Sequence, residues 1–193
     1  MVKLDSLQLH KFVYSKKTEF ALNKSGIQNK ALSWVMDVNE SRSVAEINAT
    51  SDTICLNLEK LKCFEVVKNQ YQEFGIEFEN CIAIQPSNPA FPTRFSSIVL
   101  MAAPKNGFME ATFTRPICEF SAFVTSSQQL VLSAYGRDRK LLDQSTLPCA
   151  NLNNSDSKNL PNTKLTVKAQ NIQHITFRAF DGQFTIDDLS FCF

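Results

Sequence analysis

The sequence predicts an all-β domain of antiparallel strands packed as a sandwich, and three observations lead there. From Asp52 onward, short runs of alternating apolar and polar residues recur at intervals of about ten residues, the spacing of sandwiches and barrels. The chain carries 16 Phe against only 5 Gly and 7 Pro, and phenylalanine with β-branched residues suits a pleated, half-buried surface. No strong helical period interrupts the series, which argues against a parallel β-α-β architecture.

Residues 1–51 read as an N-terminal extension. In SLQLHKFVY the residues Leu7, Leu9 and Phe12 alternate as one strand, and Ser25 caps a short amphipathic helix carrying Ile27, Ala31, Leu32, Val35, Met36 and the only Trp, Trp34. The extension is expected to pack on the domain of residues 52–193. Strands are predicted there at 53–59, 63–68, 75–83, 97–103, 107–114, 117–125, 129–135, 140–143, 164–169, 173–180 and 183–193. Met109, Ala111 and Phe113 face inward while Glu110 and Thr112 face out, and Leu165, Val167 and Ala169 repeat that pattern.

Turns have their own chemistry: Lys105-Asn106-Gly107 for a hairpin, Arg115-Pro116 as a strand break, and Gly136 closing the Tyr135 strand. The last stretch, 173–193, reads as a hairpin on a type I′ turn at Asp181-Gly182. Phe184 and Ile186 fall one residue out of step with Leu189, Phe191 and Phe193. A β-bulge at Asp187-Asp188 would restore a common apolar face and turn a carboxylate out of the ladder. Two loops stand out. QPSNPAFPTRF (85–95) is stiffened by three prolines, holding Phe91, Arg94 and Phe95 with little entropy left to lose; NLNNSDSKNLPN (151–162) reads as a solvated polar loop.

Composition excludes several classes. With 20 Lys plus Arg against 19 Asp plus Glu, the net charge is +1, which offers no global field for nucleic acid or an anionic membrane. No apolar run reaches the roughly 18 residues of a membrane span. The N-terminus as written has no secretory h-region, so the expected location is cytoplasmic, or secreted or periplasmic if a signal was removed. Six cysteines lack CxxC spacing and are read as reduced thiols, with a disulfide framework as the alternative that their even count permits; Cys55, Cys81, Cys118 and Cys192 fall within predicted strands, as small buried hydrophobes. There is no nucleophile elbow, P-loop, dinucleotide fingerprint or HExxH. His10 and His174 lie far apart in sequence, and a base would need a positioned partner as well.

The series Leu58-Glu59, Asn69-Gln70-Tyr71, Phe74-Gly75-Ile76-Glu77-Phe78, Asn88-Pro89, Ala134-Tyr135-Gly136 and Phe184-Thr185-Ile186-Asp187-Asp188-Leu189-Ser190-Phe191 resembles bacterial jelly-roll β-sandwich domains. Such domains occur in cyanobacterial and PEP-CTERM-type proteins and are similar to galactose-binding-like carbohydrate-binding modules. The resemblance covers about residues 52–193 and implies an antiparallel jelly roll that binds carbohydrate. It also implies a structural Ca²⁺ where the first and last strands meet, with Glu59 and Asp187 or Asp188 as the matching carboxylates; hard Ca²⁺ takes six to eight oxygens.

Sugar recognition needs a flat aromatic face and planar or bidentate polar groups. Tyr71, Phe91, Arg94, Tyr135, Arg137 and Asp138 supply those types at predicted strand ends and loops. The leading expectation is therefore a non-catalytic, lectin-like module. Two alternatives stand beside it: an enzyme (lyase, cyclase or isomerase) with a Phe-lined pocket, and a structural domain that self-associates through Phe123 and Trp34 as a homo-oligomer.

Overall fold

The computed structural model describes residues 53–102, 107–153 and 158–193; the strand, helix and Trp34 expected within 1–51 lie outside the described residues, as do Lys105 and Asn106. Among the described residues there are ten strands: β1 (Thr53–Cys55), β2 (Val66–Val67), β3 (Ile76–Glu79), β4 (Cys81–Ile84), β5 (Val99–Ala102), β6 (Phe108–Ser126), β7 (Leu130–Tyr135), β8 (Leu141–Leu147), β9 (Thr163–Ala179) and β10 (Phe184–Cys192). Every pairing is antiparallel. No described helix is long and apolar enough to cross a membrane.

Two long strands organise the fold. β6 joins two predicted strands across Arg115-Pro116, and β9 joins two across Gln170-Asn171. Register between them skips from Thr112–His174 to Ile117–Ile172, so Pro116, which has no N–H to give, sits where the ladder is interrupted. Asn171 takes φ 64°, a left-handed corner that Asn tolerates. Beyond these corners each strand enters a second sheet.

The first sheet runs β2-β4-β5-β10, then residues 119–126 of β6 and 163–168 of β9, with β1 beside β5 along the same edge of β10. The second runs β3, residues 108–113 of β6, residues 172–179 of β9, β7 and β8. The result is an antiparallel jelly-roll β-sandwich.

Phenylalanines from the two sheets meet in its middle. Phe113 and Phe120 have ring centroids 6.2 Å apart, Phe113 and Phe191 5.0 Å, Phe120 and Phe177 5.9 Å, and Phe177 and Phe184 6.1 Å. Each of these rings is essentially fully buried. Such burial stabilises by about 2–3 kcal/mol per ring.

Several sequence expectations change here. β9 and β10 do not form a hairpin. β9 has β6 and β7 on its edges and β10 has β6 opposite β5 and β1, so residues 180–183 cross from one sheet to the other. A type I′ turn needs positive φ at both central residues; Asp181 has φ 50° but Gly182 is not in that region. The predicted strand 75–83 breaks at Asn80 (φ 55°), sending β3 to the second sheet and β4 to the first. The predicted 53–59 strand ends early in a 3-10 turn at Leu58–Lys60, whose first free N–H, that of Glu59, is capped by the Asn57 side chain at 3.0 Å. β8 continues to Leu147 rather than stopping at Asp143.

The bulge, in contrast, lies where predicted. Asp187 faces Phe123 and Ser190 faces Ser121, so two residues oppose one, and Asp188 adopts φ 49°. Ile186 and Leu189 both stay in the core. The polar loop is not solvated at its start: Asn151 is 0% exposed. Its Oδ1 accepts from Ser126 N–H at 2.7 Å, and its Nδ2 donates to the Val124 and Leu160 carbonyls at 2.9 Å each.

Candidate functional site

Alternation in the second sheet puts Met109, Ala111, Ile175, Phe177, Leu132 and Ala134 into the core and the residues between them on the outer face. Cross-strand register then aligns Glu79, Glu110, Thr176, Ser133 and Gln144 in one row, and Glu77, Thr112, His174 and Tyr135 in the next. Glu110 is only 7% exposed. Arg139, reaching back from the β7–β8 turn, places its Nη1 2.6 Å from Glu110 Oε1. His174 Nδ1 lies 3.3 Å from the same oxygen and 3.3 Å from Thr112 Oγ1.

A carboxylate can only accept, so Nδ1 carries the proton in this contact. Desolvation first, and the Arg139 guanidinium second, hold the His174 pKa below its ordinary value, against the opposing pull of Glu110. His174 is therefore held in one orientation between Glu110 and Thr112. Its partner, Glu110, was missed at the sequence level because the pair is 64 residues apart in the chain and meets only through the β6–β9 register.

Beside this row, the corners of β6 and β9 and the β7–β8 turn enclose an open groove of about 550 Å³. Its walls carry Arg137, Asp138, Lys140, Gln170, Asn171 and Gln173, with Thr114 and the apolar surfaces of Pro116 and Leu142. Gly136 N–H donates to the Lys140 carbonyl at 3.0 Å, and Lys140 N–H to Asp138 Oδ1 at 3.2 Å, which fixes the turn. Gln170, Asn171 and Gln173 left a trace in the sequence, a polar run that interrupts the alternation of β9.

The sequence-named residues divide. Arg137 and Asp138 line the groove, and Tyr135 pairs with His174 on the adjoining face. Tyr71 does not join them: it is 5% exposed, donates its hydroxyl to the Asn57 carbonyl at 2.8 Å and packs edge-on against Phe78. Burial raises its pKa to about 12. Phe91 is half-buried in the proline-rich loop, its N–H donating to the Asn88 carbonyl at 3.0 Å, and Arg94 of the same loop lies against the first sheet. The Arg94 guanidinium covers Phe123 at 3.6 Å and Phe95 at 4.7 Å, so Phe123, predicted to face outward, is capped by this loop.

The named carboxylates tie that loop down. Asp187 Oδ2 accepts from Arg94 N–H at 2.8 Å and Phe95 N–H at 3.3 Å, while Glu59 accepts from the Ser97 N–H and, at 2.9 Å, from its hydroxyl. Both Glu59 oxygens are thus engaged, and no group of three or more His, Cys, Asp or Glu among the described residues could hold a metal. Asp187 Oδ1, by contrast, is buried without a hydrogen-bond partner. Beside it, Asp188 has its pKa raised by desolvation and by the Asp187 charge, against the opposing pull of Arg94 and Lys164. Asp187 Oδ1 is an unmatched hard oxygen, the donor type a hard cation takes, whereas both Glu59 oxygens are engaged.

No family model matches the chain and no curated protein matches it. Three of the solved structures it is similar to are these. One is an arabinose-bound GH51 α-L-arabinofuranosidase, at 10% identity and TM-score 0.38 over 70% of this chain and 25% of that one. Another is the CBM22-1–GH10 portion of a Clostridium thermocellum endo-1,4-β-D-xylanase complexed with xylohexaose, at 9% identity and TM-score 0.35 over 67% and 27%. The third is a CBM61 module in complex with β-1,4-galactotriose, at 7% identity and TM-score 0.31 over 68% and 94%. This chain spans about a quarter of the length of the first two. Their ligands are facts about those proteins, and at these identities they assign none to this one.

Proposed function

We propose that residues 53–193 form a non-catalytic carbohydrate-binding module whose ligand lies in the groove beside the 136–140 turn. The observation that carries this is the groove's lining: planar amide, guanidinium and carboxylate groups around a small apolar patch of Pro116 and Leu142. Each sugar hydroxyl both donates and accepts, and such groups answer it in fixed geometry. The groove is open rather than enclosed, and the fully buried phenylalanines pack on one another in the core, which favours binding over an enzyme with a Phe-lined pocket.

Isothermal titration against a panel of neutral oligosaccharides tests the reading. At least one should bind, and Arg137→Ala should weaken it about tenfold or more, the loss of one charge-assisted hydrogen bond, with Tm unchanged. A blank panel, or affinity indifferent to both Arg137→Ala and Asp138→Ala, would overturn it.

A structural Ca²⁺ is part of the proposal. Asp187 Oδ1 and Asp188 would hold it, with backbone carbonyls completing the oxygen shell, and it would supply charge compensation and stability, by about 2.7 kcal/mol at a hundred times its dissociation constant. EDTA should lower Tm and added Ca²⁺ restore it; equal melting in both sinks the calcium site and leaves the groove untouched.

A further inference from the structure

The sequence placed Cys118 and Cys192 in strands as reduced, hydrophobe-like thiols. Tertiary structure brings them together across the β6–β10 ladder, where Cys192 is the register partner of Glu119, the residue after Cys118. Their Sγ atoms are 2.8 Å apart, and Cys118 Sγ also lies 3.5 Å from the Phe193 carbonyl. Neighbouring strands run about 4.8 Å apart, within the range of spacings that a disulfide bridges, and only a small side-chain rotation separates this contact from an S–S bond of about 2.05 Å. Cys118 is half-buried and Cys192 buried, so an oxidant reaches the pair through Cys118.

We propose that Cys118 and Cys192 form a disulfide that staples the last strand of the sandwich to β6. The reaction is thiol–disulfide exchange with a low-molecular-weight disulfide RSSR. Cys118 gives its proton to solvent, and its thiolate attacks one sulfur of RSSR. A Cys118–S–SR bond forms and RS⁻ leaves, taking up a proton as RSH. The Cys192 thiolate then attacks the Cys118 sulfur, forming the protein disulfide and releasing the second RSH. Two protein thiols are oxidised by two electrons and one RSSR is reduced to two RSH.

The bond closes a loop between residues 74 apart in sequence. A loop of that length removes enough entropy from the unfolded chain to raise Tm by on the order of 10 °C. It also fixes the strand that carries the Asp187 bulge.

The test is oxidation of the full chain with excess oxidised glutathione, followed by alkylation, non-reducing peptide mapping and thermal melting. The expected product is two hydrogens lighter at this pair, with the Cys118 peptide linked to the Cys192 peptide. Its Tm is raised, the rise is reversed by dithiothreitol, and neither change occurs in Cys118→Ser or Cys192→Ser. Those variants fold without the bond, because serine keeps a hydrogen-bonding side chain of similar size at each position. The proposal is overturned if both thiols remain alkylatable after the exposed Cys55, Cys63 and Cys149 have reacted, if either links to another partner, or if each ends as a separate mixed disulfide.

Discussion

Asn151 and His174 show how much one side chain can carry in this sandwich. Asn151 sits at the start of a loop that reads as polar and solvated, yet its amide joins the end of β6 to the approach to β9 through hydrogen bonds to Ser126, Val124 and Leu160. Leucine there would leave a buried N–H and two carbonyls unmatched. Asn151→Leu should cost on the order of 3 kcal/mol in urea unfolding, with the slope of the transition unchanged. His174 makes a prediction in pH. Its folded pKa lies below the ordinary 6.5, from desolvation and then Arg139, so the unfolded chain takes up this proton first. The penalty is absent above about 6.5, grows as pH falls from there through the depressed folded value, and is complete below it. In an NMR titration of the imidazole, Arg139→Ala should move the His174 midpoint up and Glu110→Gln should move it down. If both leave it in place, the network of Glu110, Arg139 and His174 does not exist in solution.

At the scale of elements, the proline-rich loop and the corners decide what the strands can display. At the bulge of β10 the Asp187 carboxylate accepts two N–H groups from residues 94 and 95, and Asn162 Nδ2 donates to the Pro92 carbonyl at 3.0 Å. Asp187→Ala should therefore loosen the loop, cost about 2–3 kcal/mol, and uncover Phe123, read as faster proteolysis within the loop. Sugar affinity in the groove, on the other sheet, should stay as it was; loss of affinity without loss of stability would move Asp187 from the scaffold into the site. Gly107 marks another tight connection. It has φ 54°, and a Cβ built there would lie 2.0 Å from the Ala179 carbonyl oxygen, whose residue also donates its N–H to the Gly107 carbonyl at 2.7 Å. Gly107→Ala should destabilise by roughly 2–4 kcal/mol, read as a lowered urea midpoint, because both the backbone conformation and the contact forbid a side chain.

For the whole molecule, the division of labour between the sheets follows from where β6 and β9 bend. One outer face is covered by the 85–98 loop, and the other presents the Glu110–His174 row and the groove. Alternation alone determined the all-β character, the inward phenylalanines of the core and the bulge at Asp187-Asp188, because burial on one face imposes a period of two that any insertion must break visibly. The charged turn of Arg137 and Asp138 after Gly136 was legible as well, because a turn is a local feature. Pairing was not local. Whether β9 and β10 form a hairpin depends on which edges β6 and β7 already occupy, and Asp181-Gly182 carries no information about that. The same holds for Tyr71, which looked like an exposed aromatic until its hydroxyl found Asn57, and for Glu110 with His174 and Cys118 with Cys192. Each of those pairs is made by the register of strands far apart in the chain. The sequence by itself determined which residues face inward; only the tertiary structure decided which outward residues meet, because hydrophobic periodicity fixes a face and long-range strand order fixes its neighbours.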